Sequence, residues 1–167
     1  MRSASLRIVV CSLAMVFAVL ANKQVRAANS SSEPARVVFV CEHGSVKSLV
    51  AMMYFNRRVE ERGLPYRAVA RGTAPEPIVP AAVRDGLRTD GFEVSAFKPR
   101  KLGVSDVDDA LLVVSFDQDL SKFLDSKVRY VKWDDLPGVL SDYARGRAEI
   151  SRHVDELIDA LARRNAL

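Results

Sequence analysis

The sequence is poor in the side chains that build redox and metal centres: it has two cysteines, Cys11 and Cys41, and two histidines, His43 and His153, in 167 residues. Neither Cys-x-x-Cys nor His-x3-His occurs, and the two histidines share no helical or loop spacing, so no zinc or transition-metal site and no cofactor is expected. The cysteines fall on opposite sides of residue 28, so a single thiol follows that position and no internal disulfide or dithiol couple can form there. No Gly-Lys pair marks a nucleotide loop. Net charge is scarce too. Of 25 cationic side chains, Arg2, Arg7, Lys23 and Arg26 precede residue 28, where no acidic residue occurs, and the other 21 balance the 21 acidic ones. A neutral domain has no built-in attraction for nucleic acid or an anionic membrane, and neither is expected as a partner. What is present, 49% hydrophobic and 28% charged residues, suits one globular domain with a sizeable core.

Long hydrophobic runs are missing as well. The longest, residues 8–21, makes a helix of roughly 21 Å, too short for a hydrocarbon layer of about 30 Å. Arg2 and Arg7 before it and Val25-Arg26-Ala27 after it complete the layout of a secretory signal peptide over residues 1–27. Cys11, flanked by Val9 and Val10 rather than by small residues, reads as an apolar member of that run. Export to the periplasm or beyond is therefore expected, with membrane anchorage only if the leader is not cleaved. Residues 28–35, with Asn29, Ser30, Ser31 and Ser32, read as a disordered linker, and residues 36–167 as the folded domain.

From residue 36 the chain alternates strand and helix, which predicts an α/β domain: a three-layer open sheet of four parallel strands with helices on both faces. The β-branched run 36–40 predicts a strand buried on both sides. Residues 48–62 predict a helix with Leu49, Met52, Met53 and Phe55 inward and Gly63 as its stop. Strands follow at 66–70, 109–116 and 128–133. Helices follow at 79–89, at 119–124 and at 142–164, the last with Ile150, Val154, Leu157, Ile158 and Leu161 in one stripe. Ligand sites in such sheets lie beyond the carboxyl ends of the strands, so the loops after Val40, Ala70, Phe116 and Trp133 carry the interest.

The loop after the first strand reads Cys41-Glu42-His43-Gly44-Ser45-Val46-Lys47-Ser48. A turn from strand to helix presents successive backbone N–H groups and a helix N-terminus, an anion-binding arrangement for residues 42–48. Gly44 permits the positive φ of a tight loop. The positive helix end and Lys47 favour nucleophilic character at Cys41, Lys47 neutralises a bound oxyanion, and the Ser48 hydroxyl reaches the thiol or a leaving group. His43 is either an extra donor to the oxyanion or a solvated loop residue.

In these residues the sequence resembles the low-molecular-weight protein tyrosine phosphatases and the arsenate reductases of the same fold, whose loop is Cys-x5-Arg-Ser after a buried strand. Here it is Cys41-x5-Lys47-Ser48. Ser48-Leu49-Val50-Ala51-Met52 is similar to the family's Ser-Pro-Met-Ala-Glu, and Ala70-Arg71-Gly72-Thr73-Ala74-Pro75 to its Ser-Ala-Gly-Thr segment. Val114-Ser115-Phe116-Asp117 is similar to its strand ending in Met-Asp, and Trp133 with its acidic loop and long last helix resembles the reductase-like carboxyl-terminal end. The resemblance implies a phosphatase-type loop in which the cysteine attacks phosphorus, the amides and the loop cation hold the phosphoryl oxygens, and an Asp of an Asp-Pro pair protonates the leaving oxygen. This chain has Lys47 for the arginine, Gly44 for the usual asparagine and no Asp-Pro pair. Lysine keeps the charge and loses the planar fork that binds two oxygens.

Asp135 and then Asp134, in the segment before Pro137, are the nearest candidates for the acid, because neighbouring carboxylates repel and one can stay protonated; the other reading of the pair is as loop and capping groups before the Pro137-Gly138 turn. Asp117 reads as loop-bracing, Arg71 as a surface arginine, and Lys98, Arg100 and Lys101 as a solvated patch. The leading expectation is an exported, Cys-dependent phosphatase acting on a phosphate-bearing small molecule or phosphoprotein, such as a phosphotyrosine or small aryl phosphate. A non-catalytic oxyanion- or partner-binding protein on the same fold comes second. Arsenate reduction with an external thiol comes third.

Overall fold

The computed structural model describes residues 33–165; the expected leader over residues 1–27, with Cys11, and residues 28–32 of the expected linker lie outside the described residues. The described chain runs β1 (Ala35–Cys41), α1 (Lys47–Glu61), β2 (Tyr66–Gly72), α2 (Ala81–Thr89), α3 (Val104–Asp108), β3 (Ala110–Phe116), β4 (Tyr130–Trp133) and α4 (Tyr143–Asn165). The strands form one parallel sheet in the order β2-β1-β3-β4. Its two interior strands are β1 and β3, and Val37, Val38, Phe39 and Val40 of β1 are fully buried, as a strand covered on both faces requires.

The two faces are unequal. Alternation along β1 sends Val37, Phe39 and Cys41 into the larger core, shared with Leu49, Val50 and Phe55 of α1, Val83 and Leu87 of α2, and Ile150, Val154, Ile158 and Leu161 of α4. Phe39 lies at its centre, with ring centroids 5.8 Å from Phe55, 6.2 Å from Phe116 and 5.8 Å from Trp133. Burying each such ring contributes roughly 1.5–3 kcal/mol. Val38, Val40 and Val113 face a smaller core closed by Leu120, Leu102, Leu124 and Val128, segments that are mostly coil. Among the described residues the helix on that side is α3, whose Val104 and Val107 border an apolar cavity of about 550 Å³ together with Leu102, Leu120 and Phe123.

Three local expectations differ from the fold. Residues 119–124 form turns, because the Asp119 and Asp125 side chains accept the backbone N–H of Ser121 and Lys127 at 2.9 Å each and so compete with helical pairing. The helix α3 is too short to leave a periodic signature. In α1, Val50 and Tyr54 are buried while Met52 and Met53 are half-buried. The reason is that this helix lies against both the sheet and α4, which widens its buried arc beyond a single stripe. The junction of α2 and α4 is set by Tyr143: its ring lies where a side chain on Gly86 would stand, and its hydroxyl donates to Asp90 at 2.6 Å. Burial, then the Asp90 carboxylate, raises the pKa of Tyr143, and the same causes push Tyr54 up to about 12.

Candidate active site

Because β2 and β3 lie on opposite sides of β1, the chain reverses its direction across the sheet beside β1, and a crevice opens between the carboxyl ends of β1 and β3. A cavity of about 230 Å³ occupies this place, lined by Cys41, Glu42, His43, Val46, Lys47, Phe116, Asp117 and Gln118. The larger apolar cavity on the other side of the sheet has no cysteine in its lining; chemistry, not size, marks the site.

The loop holds its shape through a close backbone meeting. Gly44 has φ +68, and a Cβ there would lie 2.8 Å from the Gly72 nitrogen; one on Gly72 would lie 2.8 Å from both the Glu42 oxygen and the Gly44 nitrogen. Beyond this contact the N–H groups of Thr73, Ala74 and Glu76 donate to the carbonyls of Cys41, Glu42 and His43 at 3.1, 2.8 and 3.3 Å. In a trans peptide the N–H points opposite to the C=O. The carbonyls taken by residues 73–76 therefore turn the following amides the other way, and the Gly44 N–H donates to Cys41 Sγ at 3.2 Å.

Cys41 is buried, with Ser48 Oγ 3.0 Å from its sulfur. At the start of α1 no side chain caps the helix, so first-turn N–H groups are left for an anion. Ser45 is fully buried and its hydroxyl has no hydrogen-bond partner, an arrangement that costs about 1–3 kcal/mol unless a ligand completes it. His43 Nε2 lies 3.6 Å from Glu76 and 4.0 Å from Glu42, half-exposed at the edge of the cavity.

Lys47 does not stand free. Its ammonium donates to Asp117 Oδ2 at 2.5 Å and to the Leu136 carbonyl at 2.9 Å, with its side chain only 14% exposed. Asp117 is held at φ +57, and its N–H donates to the Trp133 carbonyl at 3.1 Å. It therefore ties the end of β3 to the end of β4 and faces the cavity as well, a position whose sequence signal was its place just after a buried strand. Phe116 and Gln118 were not singled out from sequence; the Gln118 side chain accepts from the Thr73 hydroxyl at 3.0 Å.

The acidic loop after β4 reaches the site at one point. Leu136 contributes the carbonyl that Lys47 uses, which places Asp135, with φ +59, next to a residue bonded to the cavity-lining Lys47. Asp134 pairs with Lys132 at 3.0 Å, and neither aspartate lines the cavity. Arg71 is not the surface residue expected: only 13% of its side chain is exposed, and it clamps Asp106 through Nε and Nη2 at 2.8 and 2.6 Å. Burial pushes the Asp106 carboxyl up, but the Arg71 guanidinium and the Gly103 N–H outweigh it and hold the group below the ordinary carboxylate value. His153 packs on Trp133 at 5.1 Å between ring centroids and takes no part in the site. Among the described residues no three His, Cys, Asp or Glu side chains are grouped to hold a metal ion, and no helix is long and apolar enough to cross a membrane.

A family model described as low molecular weight phosphotyrosine protein phosphatase matches residues 36–164. Among solved structures, the chain is similar to a low molecular weight protein tyrosine phosphatase from T. tengcongensis, with 22% identity, 75% of this chain and 99% of that one covered, and a TM-score of 0.69. It is similar to the thioredoxin-dependent arsenate reductase of Corynebacterium glutamicum, with 18% identity over 85% of this chain and 70% of that one and a TM-score of 0.63. It is also similar to an arsenate reductase from Archaeoglobus fulgidus, at 26% identity over 74% and 98% of the two chains and a TM-score of 0.57. No curated protein matches by sequence.

Proposed function

Given that this chain belongs to the low molecular weight phosphotyrosine protein phosphatase family, we propose that it hydrolyses a phosphomonoester through a cysteinyl-phosphate, and that it does so outside the cytoplasm after losing its leader. The observation that carries the reading is the environment of one sulfur: Cys41 Sγ receives the Gly44 N–H and meets the Ser48 hydroxyl at the bottom of an uncapped helix start. Cys41 attacks phosphorus, a sulfur–phosphorus bond forms as the bond to the leaving oxygen breaks, and that oxygen takes a proton from Asp135, with Asp134 as the alternative donor. The amides of residues 42–48 and the Lys47 ammonium hold the non-bridging oxygens. Water then cleaves the intermediate, returning its proton to the same carboxylate and releasing phosphate. Phosphotyrosine or a small aryl phosphate suits a cavity of about 230 Å³ with Phe116 in its wall.

The test is hydrolysis of an aryl phosphate by the mature chain beside a Cys41→Ser control. Turnover that disappears with the sulfur supports the reading; equal background from both chains removes it. A second reading, an oxyanion binder without chemistry, is favoured by two observations: Lys47 is already paired with Asp117, and neither Asp134 nor Asp135 lines the cavity. Arsenate reduction requires an external thiol, since Cys41 is the one free cysteine among the described residues.

A further inference from the structure

In the candidate site, the side chain that should attract the ligand is already satisfied from within the protein. Among the described residues lining the cavity, Lys47 is the one lysine or arginine, and Asp117 and Glu42 line it beside Lys47. An ammonium has three donors. Two are spent, on Asp117 Oδ2 at 2.5 Å and on the Leu136 carbonyl at 2.9 Å. An arginine fork offers five donors and holds a carboxylate with one edge while presenting another; a lysine cannot do both equally well.

We propose that Asp117 is an internal competitor for the anion site: its carboxylate takes the Lys47 ammonium that a phosphoryl group would otherwise use, and ligand binding proceeds by exchange of one oxyanion for the other. This rests on the phosphatase reading in placing the ligand over residues 42–48. Asp117 is thereby a positioning residue, acting on the ligand through Lys47. Its backbone supports the role independently. The position is fixed at φ +57 by the N–H bond to Trp133, so the carboxylate is presented to Lys47 by a turn that does not depend on the salt bridge. The half-exposed Asp117 side chain can turn to water when displaced, whereas Lys47, 14% exposed, stays in the cavity.

The experiment is titration of the mature chain with inorganic phosphate, followed by the backbone amide shifts of residues 42–48, on four proteins: parent, Asp117→Asn, Lys47→Met and the double variant. Asparagine tolerates the left-handed conformation, so the turn is retained; Asp117→Gly, which also accepts positive φ, serves if Asp117→Asn does not fold. Competition predicts that Asp117→Asn tightens phosphate binding about tenfold, the weak end of one charge-assisted hydrogen bond, and that the gain shrinks to less than about twofold once Lys47 is methionine. A purely structural Asp117 would instead weaken binding when replaced, which overturns the proposal. An equal gain with and without Lys47 overturns it as well, because it reports simple repulsion. If none of the four chains binds phosphate, the anion-site reading falls with it, whereas phosphate bound equally by the parent and Asp117→Asn removes the competitor alone.

Discussion

Gly44 and Gly72 meet with no room for a side chain between them: a Cβ on either would lie 2.8 Å from the other's backbone nitrogen. The contact presses the loop after β1 against the end of β2 and sets the direction of the amides that face Cys41. Replacing Gly72 by alanine must therefore move the loop, and the expected result is loss of phosphate binding and of Cys41-dependent turnover with overpacking of about 1–3 kcal/mol in urea unfolding. Gly63→Ala is the control. Its φ is +61 but nothing lies within 4 Å of the added carbon, so it loses about 1 kcal/mol of stability and keeps full binding. Equal functional loss in both variants would count against a specific role for the Gly44–Gly72 contact.

A second prediction concerns Asp106, whose folded carboxyl is held below its ordinary value by Arg71 and the Gly103 N–H against the opposing effect of burial. For a lowered carboxyl, the stabilisation is complete above the unfolded pKa and is lost as pH falls through the folded one. Asp106→Asn leaves Arg71 buried without its partner and is expected to destabilise the domain by about 3 kcal/mol at pH 7. Urea unfolding at pH 7 and near pH 3 checks the sign: the gap between parent and variant narrows at the lower pH, and a gap that stays constant shows that the pair does not titrate as argued.

These two contacts also show what the sequence could and could not express. Strand β1 was legible because five apolar or β-branched residues in a row fit only a strand covered on both faces, and Cys41 was legible as its end. The loop after it was legible from Gly44, Lys47 and Ser48 together. The partner of Lys47 was not, because Asp117 lies 70 residues away and meets it only when β3 lies beside β1. Arg71 looked exposed for the same reason, its counter-ion lying on a five-residue helix, α3, with no periodic signal. The short helix expected at 119–124 failed on turn chemistry: Asp119 and Asp125 bind nearby backbone N–H groups, a preference stronger than the weak helical pattern around them.

Lys47→Arg tests whether the missing fork limits the chemistry. A guanidinium keeps Asp117 on one edge and gives the phosphoryl group a second pair of donors, contacts that tighten as charge spreads over the oxygens in the transition state. One recovered charge-assisted hydrogen bond of about 1.5–3 kcal/mol corresponds to roughly tenfold to a hundredfold in kcat/KM. Adding Cys41→Ser is expected to abolish the gain. A rate increase that survives loss of the sulfur would assign the hydrolysis to something other than this site.

Export has a direct readout. Cleavage after Ala27, following Val25-Arg26-Ala27, predicts an intact mass beginning at residue 28 for protein recovered outside the cytoplasm. Full-length mass in that fraction identifies an anchored form, and a wholly cytosolic protein overturns the leader reading.

The acid is tested through the leaving group. A phenolate that is already stable leaves without a proton, whereas an alkoxide cannot, so loss of a general acid slows alkyl phosphates far more than activated aryl phosphates. Asp135 adjoins the residue whose carbonyl Lys47 uses, and Asp134 is engaged by Lys132 on the exposed side. Asp135→Asn is therefore expected to lower kcat by about a hundredfold or more on an alkyl phosphate and by less than about fivefold on an activated aryl ester, with Asp134→Asn close to the parent on both. The steady-state rates of the three chains on the two esters decide between the aspartates. If the leaving-group dependence follows Asp134→Asn, the loop after β4 presents its other carboxylate to the substrate; if it follows neither, the proton comes from outside this loop, and Asp117, which lines the cavity, is the next group to replace.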